Sequence, residues 1–296
     1  MAHRYFKQAI EKDPSYSLAY AGIADVYNMR ASYGLLQPKE AYSKSKAAAI
    51  KALEIDEYLA EAYASLGWAK LHLDLDWSGA EFDFKKAIAI NPSYATAHHW
   101  YSHLLMNMVR EKEALAETKK AQELDPLSLP IITSLGANYF FVREYDNSID
   151  YCKKAIEMDP SFPWAHAVLG DAYIQKSQFN EAIREKQIAI SVSGGSIEYI
   201  CELAYAYGFS GKKEEALKIL DELLDRARNE YVPLCKIALI HISLRENDEA
   251  LTYLEKAIEE QDMSYDLLTI KVNPMFDSLR SDPRFTSLLK KMGLEK

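Results

Sequence analysis

Residues 159–194, DPSFPWAHAVLGDAYIQKSQFNEAIREKQIAISVSG, contain one complete unit of an internal repeat. The unit starts at the helix-breaking Pro160, and Gly194, 34 residues further along the chain, takes the equivalent position at the start of the next unit. The same interval of 34 residues separates Pro92, Pro126 and Pro160. Because proline breaks helix interiors and glycine commonly ends helices, this fixed interval divides residues 92–194 into units of equal length. Upstream, an insertion of about nine residues near Ser32 to Lys39 lengthens the first unit.

Each unit carries the pattern of two short antiparallel helices. In the quoted unit, the first helix holds Leu169, Gly170 and Tyr173, and the second holds Ala182 and Ala189. A small residue lets two helices approach closely, and the leucine and tyrosine fill the space beside it. One helix pair cannot bury its own apolar face, so its stability depends on stacking against neighbouring pairs. The alanine pair recurs with the same spacing in other units: Ala80 and Ala87, Ala114 and Ala121, Ala250 and Ala257.

The composition also favours helices. Hydrophobic residues make up 49% of the 296 residues, with only 11 glycines and 10 prolines, and the sequence predicts an all-α fold. The period and the small-residue positions together resemble the tetratricopeptide repeat (TPR) family. This resemblance implies a right-handed superhelix, or α-solenoid, of about seven helix–turn–helix repeats with a C-terminal cap. The predicted repeats begin near Ser17, Ala60, Ala95, Leu129, Pro163, Ile197 and Tyr231.

The two ends of the chain depart from the 34-residue period. Residues 1–16 fit the second half of a truncated repeat, and we interpret the chain as a fragment of a longer protein. Residues 17–262 hold the seven TPR units, and residues 263–296 are expected to form capping helices that cover the last repeat. Phosphate binding by Arg280 and Arg284 is an alternative role for the terminal segment.

Several short segments resemble a narrower group, the C-terminal TPR region of microbial signalling proteins. In that group the effector that precedes the repeats is a winged-helix regulator, a nucleotide cyclase or a protein kinase, often with a TolB-like segment between. The resemblance implies a sensory or scaffold role in a larger signalling or regulatory protein, without naming its effector. The segments that carry it are HHWY (98–101), DPLSLP (125–130), FPWAH (162–166), SGGS (193–196) and NPMFDSLRSDPRF (273–285).

Charge and motifs exclude several classes of function. The net charge is −9 and basic residues alternate with acidic ones, so we expect no nucleic-acid binding by this segment. No apolar run is long enough for a transmembrane helix, so we expect no membrane binding by this segment. The odd number of cysteines indicates a reducing, cytoplasmic location. The sequence contains no P-loop, dinucleotide-binding, zinc-protease or serine-hydrolase motif, and we therefore predict that it is not an enzyme. Three cysteines without a CxxC pair indicate reduced thiols: Cys152, Cys201 and Cys235.

The stretch ATAHHWYSHLL, residues 95–105, raises the question of a metal site. His99 and His103 are four residues apart and therefore lie on one face of a helix. A zinc site needs further ligands, and His72 is the only nearby candidate. We predict no metal and no cofactor, and we leave open whether these histidines contact a ligand or simply line a groove.

By analogy with the family, five positions in each first helix point into a concave groove. At these positions the chain carries aromatic, histidine and acidic side chains, which suits a protein or peptide ligand with apolar anchors. Two alternatives remain open: a homo-oligomerisation module that uses an exposed terminal repeat, and a small-molecule sensor. The predicted partner-binding residues are Trp68, His72, His99, His103, Phe140, Phe141, Trp164, Asp171 and Tyr205.

Overall fold

The computed structural model describes residues 2–295 and confirms the all-α prediction, because every regular element in this range is a helix. The helices form two compact units. The first consists of the residues up to Asp125 together with Met263–Tyr265, and the second of Pro126–Asp262 and the residues from Asp266 onward. Within the described range, none of the helices combines the length and the apolar character needed to cross a membrane.

The first unit is built from helices that each pack against the next one along the chain. Helix α4 also contacts α2 and α6, which brings the first helices of successive pairs side by side. The helices are α1 (Ala2–Lys12), α2 (Ser17–Ser32), α3 (Pro38–Ile55), α4 (Ala60–Asp74), α5 (Trp77–Ile90), α6 (Ala95–Asn107) and α7 (Glu111–Leu124).

The second unit is built from helix pairs of the same kind, and three shorter helices follow them. Its paired helices are α8 (Leu129–Phe141), α9 (Tyr145–Met158), α10 (Pro163–Gln175), α11 (Phe179–Val192), α12 (Ile197–Phe209), α13 (Lys213–Arg226), α14 (Leu234–Ser243) and α15 (Asn247–Glu259). After them come α16 (Tyr265–Leu268), the 3₁₀-helix η1 (Pro274–Leu279) and α17 (Pro283–Lys291). Helix α10 contacts α8 and α12, and α12 contacts α14. We call the surface formed by α8, α10, α12 and α14 the first-helix face.

Two glycines show why the first helix of each pair carries a small residue. A β-carbon at Gly136 would lie 2.7 Å from Cys152 Sγ and 3.3 Å from the carbonyl oxygen of Ser148. At Gly170 it would lie 2.8 Å from Lys186 Cε. Both partners belong to the second helix of the same pair, so the predicted close approach of the two helices depends on these glycines.

The last helix packs on the last repeat. Helix α17 contacts α15, and Arg284 donates a hydrogen bond of 2.8 Å to Glu255 across this contact. Burial of Phe285 and Leu288 adds an apolar component to the same packing. The division of the chain into a half repeat, seven repeats and a cap stays a prediction.

The turn inside each helix pair repeats one backbone conformation. After each first helix from α4 to α14, one residue has a positive φ, and these residues follow one another at intervals of 34. After α6, the backbone N–H of Val109 donates to the carbonyl oxygen of Met106, and that of Arg110 donates to the carbonyl oxygen of Leu105, each at a distance of 2.8 Å. These hydrogen bonds satisfy carbonyl groups at the end of the helix. Only one of the six is glycine, so the period could not be read from glycine positions: Leu75, Val109, Arg143, Ser177, Gly211 and Arg245.

Replacing Val109 with glycine is expected to raise the free energy of unfolding by about 1 kcal/mol. Val109 is branched at Cβ, has φ 61°, and is 43% exposed, so the change relieves backbone strain and loses little packing. Urea unfolding of both proteins measures the difference. Val142→Gly is the matched control, because Val142 has φ −85° and gains no relief. A Val109→Gly protein less stable than wild type would contradict the expectation.

Candidate functional site

The predicted residues of the first unit form a packed aromatic cluster between α4 and α6. The Trp68 ring centroid lies 4.3 Å from that of His72, 5.1 Å from that of Trp100 and 5.5 Å from that of His103. Trp68, His72, His99 and His103 are all at most 8% exposed. These side chains therefore present little surface to a partner, and their predicted role in partner binding stays a prediction.

The histidines of this cluster are held as neutral rings. His72 Nδ1 lies 2.9 Å from the carbonyl oxygen of Trp68, and the Nε2 atoms of His99 and His103 are 3.0 Å apart. Burial lowers the pKa of His72 to about 3 and that of His103 to about 4, and it lowers the pKa of His99 well below its usual value. Within the part of the chain that the structure describes, no three His, Cys, Asp or Glu side chains are placed to hold a metal together.

Four of the predicted residues of the second unit are aromatic side chains on the first-helix face, and three of them, Phe140, Phe141 and Trp164, lie on α8 and α10. Phe140 and Phe141 lie at the end of α8, are buried, and pack edge-on with ring centroids 5.6 Å apart. Trp164 at the start of α10 is half-buried and packs against a cluster that includes Ala189 and Tyr199. Trp164 is therefore the aromatic residue of the predicted set in this unit that keeps an exposed edge.

Asp171 and Tyr205, the remaining predicted residues, belong to a buried charged cluster centred on Lys186. Lys186 has no exposed surface, and its ammonium group donates to Asp171 at 2.6 Å, to Glu202 at 2.7 Å and to Tyr205 at 2.9 Å. Tyr205 in turn donates to Asp171 at 2.7 Å. Burial raises the pKa of Asp171, and the ammonium of Lys186 opposes that change.

A second buried lysine extends the cluster. Lys236 is 3% exposed and donates to Glu202 at 2.6 Å, and it lies 2.8 Å from Asp266. Burial opposes a charge on Glu202, but the two ammonium groups outweigh it and lower its pKa to about 2. Burial raises the pKa of Glu198, whose carboxylate is 3.8 Å from Lys236, to about 7. Glu202 thus bridges two buried cations.

The sequence contains a signal for this cluster that pattern analysis missed. Lys186 occupies a position in the second helix whose equivalents lie 34 or 68 residues away. Those equivalents are small or apolar in the other repeats and are all buried: Thr118, Cys152, Leu220 and Leu254. A charged residue at a position that is small or apolar in the other repeats predicts a buried ion pair, because a charged side chain there cannot reach water.

Two further histidines form equivalent structural links 68 residues apart. His98 Nδ1 lies 2.6 Å from Glu117 and its Nε2 lies 3.0 Å from the carbonyl oxygen of Pro92. His166 makes the same contacts with Glu185 and the carbonyl oxygen of Pro160, at 2.7 and 2.9 Å. Both ring nitrogens face acceptors, so both bonds form only with the doubly protonated ring. The hydrogen bond to Glu117 raises the pKa of His98.

The segment after α15 lies against the first-helix face of the second unit. Gln175 Nε2 donates to Met275 Sδ at 3.2 Å, and Arg143 donates to Asp277 at 3.0 Å. Phe276 and Leu279, on the same 3₁₀-helix, have no exposed surface. Together with the contact between Asp266 and Lys236, these contacts tie residues 266–280 to α10, to α14 and to the turn after α8.

A cleft of about 720 Å³ lies beside this segment. Its lining residues come from the ends of α10, α12 and α14, from the residues that follow these ends, and from η1. The apolar part of the lining includes Ile174, Phe209 and Met275, and the charged part includes Lys213 and Arg245. The cleft therefore combines apolar surface with two cationic side chains.

Comparisons with protein families match the repeats of the second unit. A family model described as "Tetratricopeptide repeat" matches residues 151–184. A second model with the same description matches residues 129–162, 197–230 and 233–261. Three of these four segments, which start at residues 129, 197 and 233, begin within two residues of a repeat start that the sequence pattern predicts.

Similar proteins differ widely in length. "Tetratricopeptide repeat protein 37" of Xenopus laevis is 23% identical over 263 residues, which cover 85% of this chain and 16% of that protein. "Transcriptional regulator HilA" of Salmonella typhimurium is 26% identical over 149 residues, which cover 50% of this chain and 26% of that protein. The solved structure of the "APC/C hetero-tetramer Cut9-Hcn1" aligns with a TM-score of 0.63 and 16% identity, over 98% of this chain and 52% of that one. This last likeness concerns the fold.

Proposed function

This chain belongs to the tetratricopeptide repeat family, and we propose that the first-helix face of its second unit binds a segment of a partner protein. The repeats make the chain a protein-interaction module in general terms. The observation that carries the more specific proposal is the position of residues 266–280. This segment, which contains most of α16 and the whole of η1, already lies on that face and is held through Lys236, Gln175 and Arg143.

The nine predicted residues take different parts in this proposal. Trp164 and Asp171 are half-buried and provide direct contacts with a partner. The other seven are buried. Phe140, Phe141 and Tyr205 support this face from beneath, whereas Trp68, His72, His99 and His103 belong to the first unit and take no part in it. Truncating those seven would test folding more than binding, because large core residues cost several kcal/mol when removed.

We further propose that the chain is the sensory or scaffold part of a larger signalling or regulatory protein. The sequence similarity to a transcriptional regulator over 149 residues supports this role. The net charge of −9 favours protein partners over nucleic acid. A cytoplasmic location accords with three buried cysteine thiols and is part of the same proposal.

Self-association is the second candidate, because one specific observation favours it. Exposed apolar side chains gather in the first unit along α1, α2 and the turn after it, where Tyr5 is 55%, Leu18 is 45% and Leu35 is 68% exposed. Apolar surface of this kind is typical of contacts between proteins. Sedimentation of wild type and a Leu18→Glu/Leu35→Glu variant over a range of concentrations distinguishes a dimer from a monomer.

Capture from a lysate of the source organism tests the first candidate. Wild type is compared with Trp164→Ala, after the melting temperature has shown that the variant is folded. We expect wild type to retain a protein that the variant loses. Lys153→Glu/Lys154→Glu is the control, because these exposed residues lie on the second helix α9. Equal retention by all three proteins would place the interaction elsewhere on the chain.

A further inference from the structure

We infer that the cleft where α10, α12 and α14 end binds a partner segment in which an apolar side chain stands beside an aspartate or glutamate. This inference rests on the proposed interaction role and adds the chemistry of the partner. The cleft, of about 720 Å³, has the size of a typical ligand pocket. Ile174, Phe209 and Met275 give it an apolar lining that suits one or two apolar side chains.

The charge at the rim of the cleft selects the flanking residue. Arg245 is exposed and makes no ion pair within the described residues, and Lys213 has its nearest carboxylate, that of Glu246, at 3.9 Å. The acidic residue of the lining, Asp277, is already paired with Arg143 and with Arg280. In a protein of net charge −9, this rim is therefore locally cationic and attracts a carboxylate.

The chain itself contains a precedent for the proposed contact. Arg143 and Arg245 are equivalent residues three repeats apart, each with φ 65° in the turn that follows a first helix. Arg143 binds Asp277 with both terminal nitrogens at 3.0 Å, and Asp277 directly follows the apolar pair Met275 and Phe276. An arginine at this position of the turn thus binds an aspartate that follows two apolar residues. Arg245 offers the same guanidinium at the cleft.

A random peptide library displayed on phage, panned against the immobilised full chain, tests the inference without a known ligand. We expect the retained peptides to be enriched in Asp or Glu next to Phe, Leu or Met. The best peptide is then synthesised and its Kd is measured by fluorescence polarisation. Arg245→Glu/Lys213→Glu is expected to weaken binding about tenfold or more, and added salt should weaken binding to wild type.

Two control proteins separate charge from folding. Arg245→Asn removes the charge while keeping a residue that accepts the left-handed backbone, so it should weaken binding without lowering the melting temperature. Lys153→Glu/Lys154→Glu changes the net charge by the same amount on another helix and should leave the Kd within about twofold of wild type. The inference is overturned if no peptide is retained, if retained peptides lack acidic residues, or if the cleft variant binds them as wild type does.

The outcome is separable from that of the proposed function. A lysate partner that depends on Trp164 but binds the Arg245→Glu/Lys213→Glu protein normally would leave the interaction role in place and remove the cleft as its site. If the Arg245→Glu/Lys213→Glu protein binds neither the acidic peptides nor the lysate partner, the cleft is the site of the proposed interaction.

Discussion

Replacing Glu202 with alanine is expected to lower the free energy of unfolding by about 3–5 kcal/mol. Glu202 accepts hydrogen bonds from both Lys186 and Lys236, which are 0% and 3% exposed. Its removal leaves two buried ammonium groups with fewer counter-charges and no path to water. Urea unfolding followed by circular dichroism measures the loss.

A compensating change distinguishes loss of an ion pair from loss of packing. Leucine occupies the position of Lys186 in the two following repeats, at Leu220 and Leu254. Adding Lys186→Leu to Glu202→Ala removes one of the orphaned cations, so we expect the double variant to be more stable than Glu202→Ala alone. Burial already raises the pKa of Asp171, and loss of the Lys186 ammonium removes an interaction that lowers it, so the Lys186→Leu change favours the neutral form of that carboxyl.

An exposed ion pair in the same unit provides the control. Arg226 lies 2.8 Å from Glu230, and their side chains are 38% and 50% exposed. Glu230→Ala is therefore expected to change stability by about 0–1 kcal/mol. If Glu202→Ala costs no more than Glu230→Ala, the two lysines reach solvent in the native protein and the cluster is not buried.

The repeat was predictable because it depends on local chemistry that recurs. Breakers such as Pro160 and small residues such as Gly170 act through helix ends and helix contacts within one unit. The 34-residue period does not by itself predict that Lys186 is buried, because an isolated lysine on a helix normally indicates a solvent-facing position. The equivalent positions in the neighbouring repeats hold Cys152 and Leu220, and this comparison between repeats indicates a buried position that the pattern of a single helix does not reveal.

The candidate site was only partly predictable. Position within the repeat identifies a residue on the first-helix face, but its exposure depends on what packs beside it, as Trp100 and His72 pack beside Trp68. The contact of Arg143 with Asp277 joins residues 134 positions apart, outside any repeat interval. No periodic pattern predicts such a contact, because it depends on how the terminal segment folds back.

Lowering the pH from 7 to 5 is expected to destabilise the first unit by roughly 2 kcal/mol for each of His72 and His103. Burial lowers the pKa of these rings to about 3 and about 4, whereas an unfolded histidine titrates near 6.5. At pH 5 the unfolded chain therefore binds protons that the folded chain does not. This contribution to stability is fully present above pH 6.5 and is lost as the pH falls toward the folded pKa values.

Tryptophan fluorescence reports on this unit, because three of the four tryptophans, Trp68, Trp77 and Trp100, belong to it. Urea unfolding at several pH values between 5 and 7 gives the slope of stability against pH. His103→Gln should reduce that slope by up to about 1.4 kcal/mol per pH unit, the amount that corresponds to one proton.

His98 provides a control of opposite sign. Its pKa is raised by the hydrogen bond to Glu117, so its contribution is present below pH 6.5 and is lost as the pH rises through the folded value. His98→Gln should therefore leave the acid slope unchanged and flatten the loss of stability on the alkaline side. If His103→Gln also leaves the acid slope unchanged, His103 titrates as an exposed residue. The aromatic cluster would then be an accessible surface, as the groove prediction requires, and partner binding by Trp68 and His103 would regain its physical basis.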